Sequence, residues 1–398
     1  MAGVRGTRDL ALVASGAAVS LFGTAITLIV LLLHVKDFGS YAVVGVLIAE
    51  FVPVSLAAPL AGLLVDRLPN RRLMIAGQLL QAGAVIVVTT VLHSLPLILV
   101  TLVVLGCGTA VVNPAAAALI PAICGEDRSA RGYSWLAFGR GTGMLAGSAA
   151  GGLLVAALGT RDALLVDAGT YLAQAALLSF VRTERDPRGR ERQTGRDAAT
   201  AGLRLLAADP VLRVATVCLA VACVGVMFAD VATVFYVTGV LGGGAATLGL
   251  LHACWMLGVL TGARVAVRLT SQRALLLGLG TACAVMGVGM LIPAALPFTA
   301  LAALGYIVGG AANGVQSVTN QGIVRARSPE HLRGRAFAAA GAVLVGANVL
   351  GTVLGGAVVA LMGPRQTFVL AGIATLAAGV AALLALRAVD TTKTAPVT

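Results

Sequence analysis

Three carboxylates stand inside long apolar runs: Glu50, Asp167 and Asp230. An acid in such a setting is costly to keep, so it pairs with a partner, lines a wet cavity or carries a proton. The other thirteen of the sixteen Asp and Glu fall in expected loops, helix ends or tails. Glu50 lies nine residues into its run, or ~14 Å from the outer end at about 1.5 Å per residue. Asp230 lies ~12 Å below the outer end of its own run on the same basis. Asp167 is only five residues in and reads as an interfacial structural acid. A proton carrier loads and releases as its surroundings open to either side, whereas a packing acid stays hydrogen-bonded or paired. Both readings stand for Glu50 and Asp230.

Uncharged polar residues supply a second signal. Ser20, Thr24, Thr27 and His34 share one run, and Tyr306, Asn313, Gln316 and Asn320 share another. Each set recurs at steps of three, four or seven and so falls on one helical face. A polar stripe on an apolar helix faces a wet cavity or bonds to a neighbouring helix, and four residues per stripe favour the cavity. Aromatics make up only 4% of the chain, which implies an aliphatic lining with scattered hydrogen-bonding groups, suited to a bulky amphipathic compound. Arg140 and Arg264 are the basic side chains well inside runs. Snorkelling to the nearer interface accounts for both, with pairing to a buried acid as the alternative.

The elements that carry these residues must be membrane helices. Of 398 residues 59% are hydrophobic and 11% charged, with a mean hydropathy of +0.97, whereas a soluble domain carries about 25% charged residues. A soluble enzyme is excluded. Apolar runs at about 10–33, 41–64, 73–92, 96–122, 133–158, 162–181, 211–238, 245–268, 274–293, 297–324, 335–362 and 366–387 predict an all-α membrane protein of twelve transmembrane helices. The first run follows a short Arg-bearing segment but is too long for a signal peptide, and it is expected to be retained.

The net charge of +12 is distributed, not scattered. Arg67, Arg71, Arg72, Arg128, Arg131, Arg268, Arg273, Arg325, Arg327, Arg333 and Arg335 fall at one set of turns, and the intervening turns hold Lys36, Arg161 and Arg365. The rich side is cytoplasmic by the positive-inside rule, which places both termini in the cytoplasm of a multi-pass cell-membrane protein. The basic balance is therefore topology and calls for no nucleic acid. Cys107, Cys124, Cys218, Cys223, Cys254 and Cys283 show no metal spacing. No phosphate-binding loop and no H-E-x-x-H or G-x-S-x-G pattern is present, so no metal, cofactor or enzyme activity is expected.

The chain repeats itself. The fifteen residues from Gly147 to Arg161 recur from Gly351 to Arg365 with seven identities, and Glu126 and Arg131 recur as Glu330 and Arg335. This predicts two pseudo-symmetric six-helix bundles, residues 1–182 and 211–398 with a short C-terminal tail, joined by a cytoplasmic linker at 183–210. Its segment 183–197 is charged, lacks apolar periodicity and should be open to proteases. Paired bundles are the architecture of a secondary transporter. A non-transporting membrane sensor of the same build is the competing class.

Specific residues then resemble the major facilitator superfamily over the full length. Gly62, Asp66, Arg67, Arg71 and Arg72 follow that family's G-x-x-x-D-R-x-G-R-R-R loop, with Pro69 and Asn70 as departures. Physically, Asp66 can meet the positive end of a neighbouring helix in one conformation and leave it in another. The second-half counterpart, Gly262 to Arg268, lacks the acid. Gly143, Gly147, Ser148, Gly151 and Gly152 are similar to the family's antiporter glycine motif, with Ser148 in place of proline, although small residues four apart also serve close helix packing alone. With Asn113, Pro114, Pro121 and the segment Leu332–Phe337, the chain looks most like the drug-efflux, macrolide-efflux and enterobactin-exporter branch. The resemblance implies cavity-lining spans one, four, seven and ten, which adds Asn113 to the cavity residues and favours Asp230 for coupling. It also implies a monomeric antiporter exporting a small amphipathic drug, antibiotic or metabolite against protons by alternating access, with facilitated or uptake transport as the alternative. The arginine many proton-coupled drug exporters carry in span four is absent.

Overall fold

The computed structural model describes residues 2–184 and 196–392, and the regular structure among them is helical. The helices are α1 (Ala2–Val35), α2 (Ser40–Arg67), α3 (Asn70–Thr90), α4 (Leu95–Cys124), α5 (Ser129–Ser179), α6 (Arg196–Ala208), α7 (Pro210–Phe235), α8 (Ala245–Ala266), α9 (Gln272–Ala295), α10 (Thr299–Arg327), α11 (Arg333–Met362) and α12 (Pro364–Thr392). A bilayer offers backbone groups no water, so a chain this apolar satisfies them within helices.

Ten of these stretches are long and apolar enough to cross a membrane. One, α5, runs for 51 residues, or ~77 Å, more than twice the ~30 Å hydrocarbon core. It breaks at Gly159, whose φ of 82° and ψ of 174° lie outside helical space and are open to glycine without a Cβ penalty. The break separates two limbs where the sequence predicts spans five and six as separate helices. α10 is not among the ten, because its polar stripe dilutes an otherwise spanning length of 29 residues. Leu56, Leu60, Leu361 and Leu384 are each more than 60% exposed, as suits side chains that face lipid.

The repeat seen in the sequence extends to the elements. α4 and α10 begin at Leu95 and Thr299, the short 3-10 turns at Glu126 and Glu330, and α5 and α11 at Ser129 and Arg333. Gly363, the repeat partner of Gly159, has nearly the same backbone, φ 85° and ψ 167°.

Two compact units are present, Met1–Glu191 with Gly243–Ala253 and Arg192–Gly242 with Cys254–Thr398. In the first, α1 packs along α5, α3 lies against α4 and α5, and α2 against α4. In the second, α7 packs on α11 and α12, and α9 on α10 and α12. The α1–α5 contact explains the glycine stripe. A Cβ added at Gly139, Gly143 or Gly147 would meet the backbone carbonyls of Ala14, Ala18 and Phe22 in turn, so both helices advance by four residues per contact. Gly151 faces Ile26, and Gly152 faces the backbone of Ala245.

Of the expected linker, residues 185–195 lie outside the described residues, as do the tail residues 393–398 with Lys393. Residues 196–208, read from sequence as part of the linker, form α6, which packs on α11 and α7.

Candidate functional site

The polar stripe of α1 meets a second polar stripe on the limb of α5 that follows Gly159. Thr27 Oγ1 donates to Asp167 Oδ2 at 2.5 Å, and Thr170 Oγ1 donates to Asp167 Oδ1 at 3.1 Å. One turn along, the hydroxyls of Thr24 and Tyr171 are 3.0 Å apart. Asp167 has no solvent exposure, so it is a core residue of the first unit. It fits because α1 has no side chain at Gly23: a Cβ there would collide with Asp167 Oδ1 and Thr170 Oγ1.

Below this pair the same stripe opens on a cavity of about 50 Å³, lined among others by Ser20, Thr24, Gln78, Asn113, Arg140 and Gln174. Arg140 Nη2 donates to Asn113 Oδ1 at 2.8 Å, so the guanidinium turns inward and does not snorkel. Gln81 donates to Thr109 Oγ1 at 2.9 Å and to the Leu105 carbonyl at 3.3 Å. The amide oxygens of Gln78, Gln81 and Gln174 are buried and have no protein partner. Each orphaned acceptor costs about 1–3 kcal/mol if nothing donates to it, and a cavity this size holds water, which needs only ~10–15 Å³ apiece.

In the second unit Asp230 of α7 is half-buried and borders a smaller cavity of about 20 Å³ with Trp255, Met290, Pro293, Tyr306 and Phe368. The Tyr306 hydroxyl shares a 2.5 Å bond with Thr233 Oγ1, and its ring meets Trp255 edge-on at 6.3 Å. This places an acid beside aromatic surface. Along α10 the stripe divides. Tyr306 and Gln316 are buried, Gln316 against the Cys283 thiol, whereas Asn313 and Asn320 are half-buried.

The remaining candidates take other positions. His34 ends the α1 stripe at the last turn of that helix, where Nε2 lies 2.9 Å from the Leu92 carbonyl, and is not among the residues lining the cavity. Glu50 is half-buried on α2. The residues of the loop pattern lie in helices, Gly62, Asp66 and Arg67 in the last turns of α2 and Arg71 and Arg72 in the first turn of α3, with Gly62 and Asp66 half-buried and Arg67 and Arg72 exposed. Arg71 reaches the end of α5, where Nε donates to the Leu178 carbonyl at 3.1 Å and Nη2 to that of Ser179 at 2.5 Å. Asn70, a departure from the loop pattern, is buried, and with its amide turned its nitrogen donates to the Val65 carbonyl at 2.8 Å.

Sequence reasoning missed Gln78, Gln81 and Gln174, although an amide inside an apolar run is a usable signal. It also missed Asp9, assigned to the tail but only 3% exposed, whose carboxylate accepts from the backbone amides of Arg182 and Thr183 where the chain leaves α5. Nothing in sequence marks that contact. Among the described residues no group of three His, Cys, Asp or Glu is arranged to hold a metal.

Comparison with known proteins adds a family. Residues 13–309 match the Major Facilitator Superfamily. The chain is 30% identical over 251 residues to the multidrug efflux pump Tap of Mycolicibacterium fortuitum, a match that covers 61% of this chain and 59% of that protein. Among solved structures it superposes on a variant of the nucleoside transporter NupG with a TM-score of 0.78, covering 95% and 99% of the two chains at 11% identity. It superposes on a bacterial homologue of the human lysosomal transporter Spinster, in an inward-facing unoccupied state, with a TM-score of 0.75 over 99% of each chain at 14% identity. At such identities the structures share the fold alone.

Proposed function

This chain belongs to the Major Facilitator Superfamily, and from that premise we propose that it exports small amphipathic compounds from the cell by proton-coupled alternating access. The observation that carries the reading is the 30% identity to a multidrug efflux pump. The half-buried acid Asp230 beside Trp255 and Tyr306 supports it, because aromatic surface with one acid suits an amphipathic ligand. In this reading two six-helix bundles, residues 1–182 and 211–398, are joined by the cytoplasmic segment 183–210, for twelve spans in a monomer with both termini inside. Uphill export draws on protons loaded onto the intramembrane acids Asp230, Glu50 and Asp167, since a proton antiporter needs a group that titrates within the membrane.

The test is ethidium accumulation in cells with and without the protein, under an imposed pH gradient. Export is expected to be driven by an inward proton gradient and to stop when the gradient is collapsed. Dye that equilibrates equally with and without the gradient marks facilitated diffusion, and no difference between the two cell types removes the export reading.

A further inference from the structure

Inside the first unit a row of polar groups runs from Asp167 to the Arg140 cavity. From the top it comprises Thr27 and Thr170 on the carboxyl, then Thr24 with Tyr171, then the cavity itself, which Thr24 also lines. Both ends are built. At one end the Gly23 niche admits the carboxyl into the surface of α1. At the other, three buried amide oxygens lack donors, while Arg140 uses one guanidinium N–H on Asn113 and has others to place. A second cation in the cavity would be repelled by Arg140, and an anion by the amide oxygens. Water accepts from the guanidinium and donates to the amides, and the volume of about 50 Å³ admits about three or four molecules.

We infer that Asp167 is a proton-binding site within the first bundle and that the water-filled Arg140 cavity is the route by which its proton reaches bulk solvent. The assignment rests on the transport reading only for its use in coupling. On release, the carboxyl O–H bond breaks and the proton passes to the Tyr171–Thr24 hydroxyl pair. That pair hands one of its own protons to a cavity water, leaving a carboxylate at Asp167 and an unchanged hydroxyl pair. One helical turn separates Asp167 from Tyr171, so this transfer needs a bridging water or a small shift of α1 along α5, and the row can open and close there.

The groups facing this site come from five elements. The limb of α5 after Gly159 itself brings Tyr171, α1 brings the hydroxyls of Thr24 and Thr27, and the limb before Gly159 brings Arg140 across the cavity. α3 and α4 bring the amides of Gln78, Gln81 and Asn113, and α2 carries the half-buried acid Glu50. The positive charge of Arg140 raises the energy of an excess proton in the cavity, so it sets the barrier on the route and keeps the proton from resting there.

The test is pH-difference infrared spectroscopy on the full-length protein in lipid vesicles. A carboxylic-acid carbonyl band that comes and goes with bulk pH is expected in wild type, lost in Asp167→Asn and kept in Asp230→Asn. A spectrum that Asp167→Asn leaves unchanged overturns the inference. If that variant does not fold, Tyr171→Phe keeps the shape and removes the hydroxyl. Its band should shift on transfer to heavy water more slowly than that of wild type by at least about tenfold, and equal rates overturn the route. Ethidium export separates the two readings. A titrating Asp167 band without gradient-driven export removes proton antiport and leaves the site, whereas gradient-driven export with no band lost in Asp167→Asn removes the site and leaves antiport.

Discussion

Asp209 and Arg327 form an ion pair 3.1 Å long at the ends of two helices. Asp209 is also the N-cap of α7, where Oδ1 accepts from the amides of Val211 and Leu212, and Arg327 is the last residue of α10. One carboxylate thus satisfies a helix start and ties it to a helix end in the second unit. Asp209→Ala should lower stability by about 1–2 kcal/mol from the lost cap, with the loss of a pair whose side chains are only 19% and 21% exposed adding to it. Thermal unfolding in detergent checks it, and Arg327→Ala should cost less than Asp209→Ala.

The glycine stripe gives a paired prediction. Gly147→Ala places a methyl group against the Phe22 backbone and should cost about 1–3 kcal/mol, read as lost monodisperse protein. Gly169 has open space where a Cβ would go, so Gly169→Ala should be neutral or stabilise by up to about 1 kcal/mol. Equal effects at both sites would mean that the α1–α5 contact is looser than described.

Asp66→Asn keeps the shape of the last turn of α2 and removes its charge. If Asp66 stabilises one gate state through a helix-terminal contact worth about 1.4 kcal/mol, ethidium export should fall to about a tenth with expression unchanged. Full activity would reduce the loop to a positive-inside signal. Arg71→Gln, by contrast, removes two bonds to the carbonyl end of α5 and should lower stability as well as transport.

For the coupling acids, Asp230→Asn and Glu50→Gln should separate binding from coupling. Ethidium should still bind and exchange between two pools, while export driven by a pH gradient fails. If the two substitutions, singly and together, leave gradient-driven export intact, these carboxylates do not couple transport to protons.

A protease site inserted in segment 183–197 should be cut from the cytoplasmic face alone, because its charge leaves it nothing apolar to pack against. Cleavage in right-side-out vesicles would reverse the topology.

The sequence by itself determined the membrane class, the helical content and the internal repeat. Lipid allows only structures that satisfy their backbone internally, so composition and run length already specify helices, and the repeat from Gly147 to Arg161 was visible because close packing against α1 fixes small residues at a fixed step. The stripe on α1 was equally legible as a face. What the stripe meets was not. Spacing along one helix fixes which residues share a face, but the rotation and offset of its neighbours fix the partner. The tertiary structure therefore decided that Thr27 bonds Asp167 and Thr24 meets Tyr171, and that His34 ends outside the cavity against Leu92. It turned Arg140 inward onto Asn113, where chain position alone favoured the interface, because a long flexible side chain follows whichever polar group packing brings within reach. Gly159 shows the same division: the sequence separates spans five and six around it, and only the packed chain sets its backbone at φ 82° and ψ 174°, which breaks α5 into two limbs.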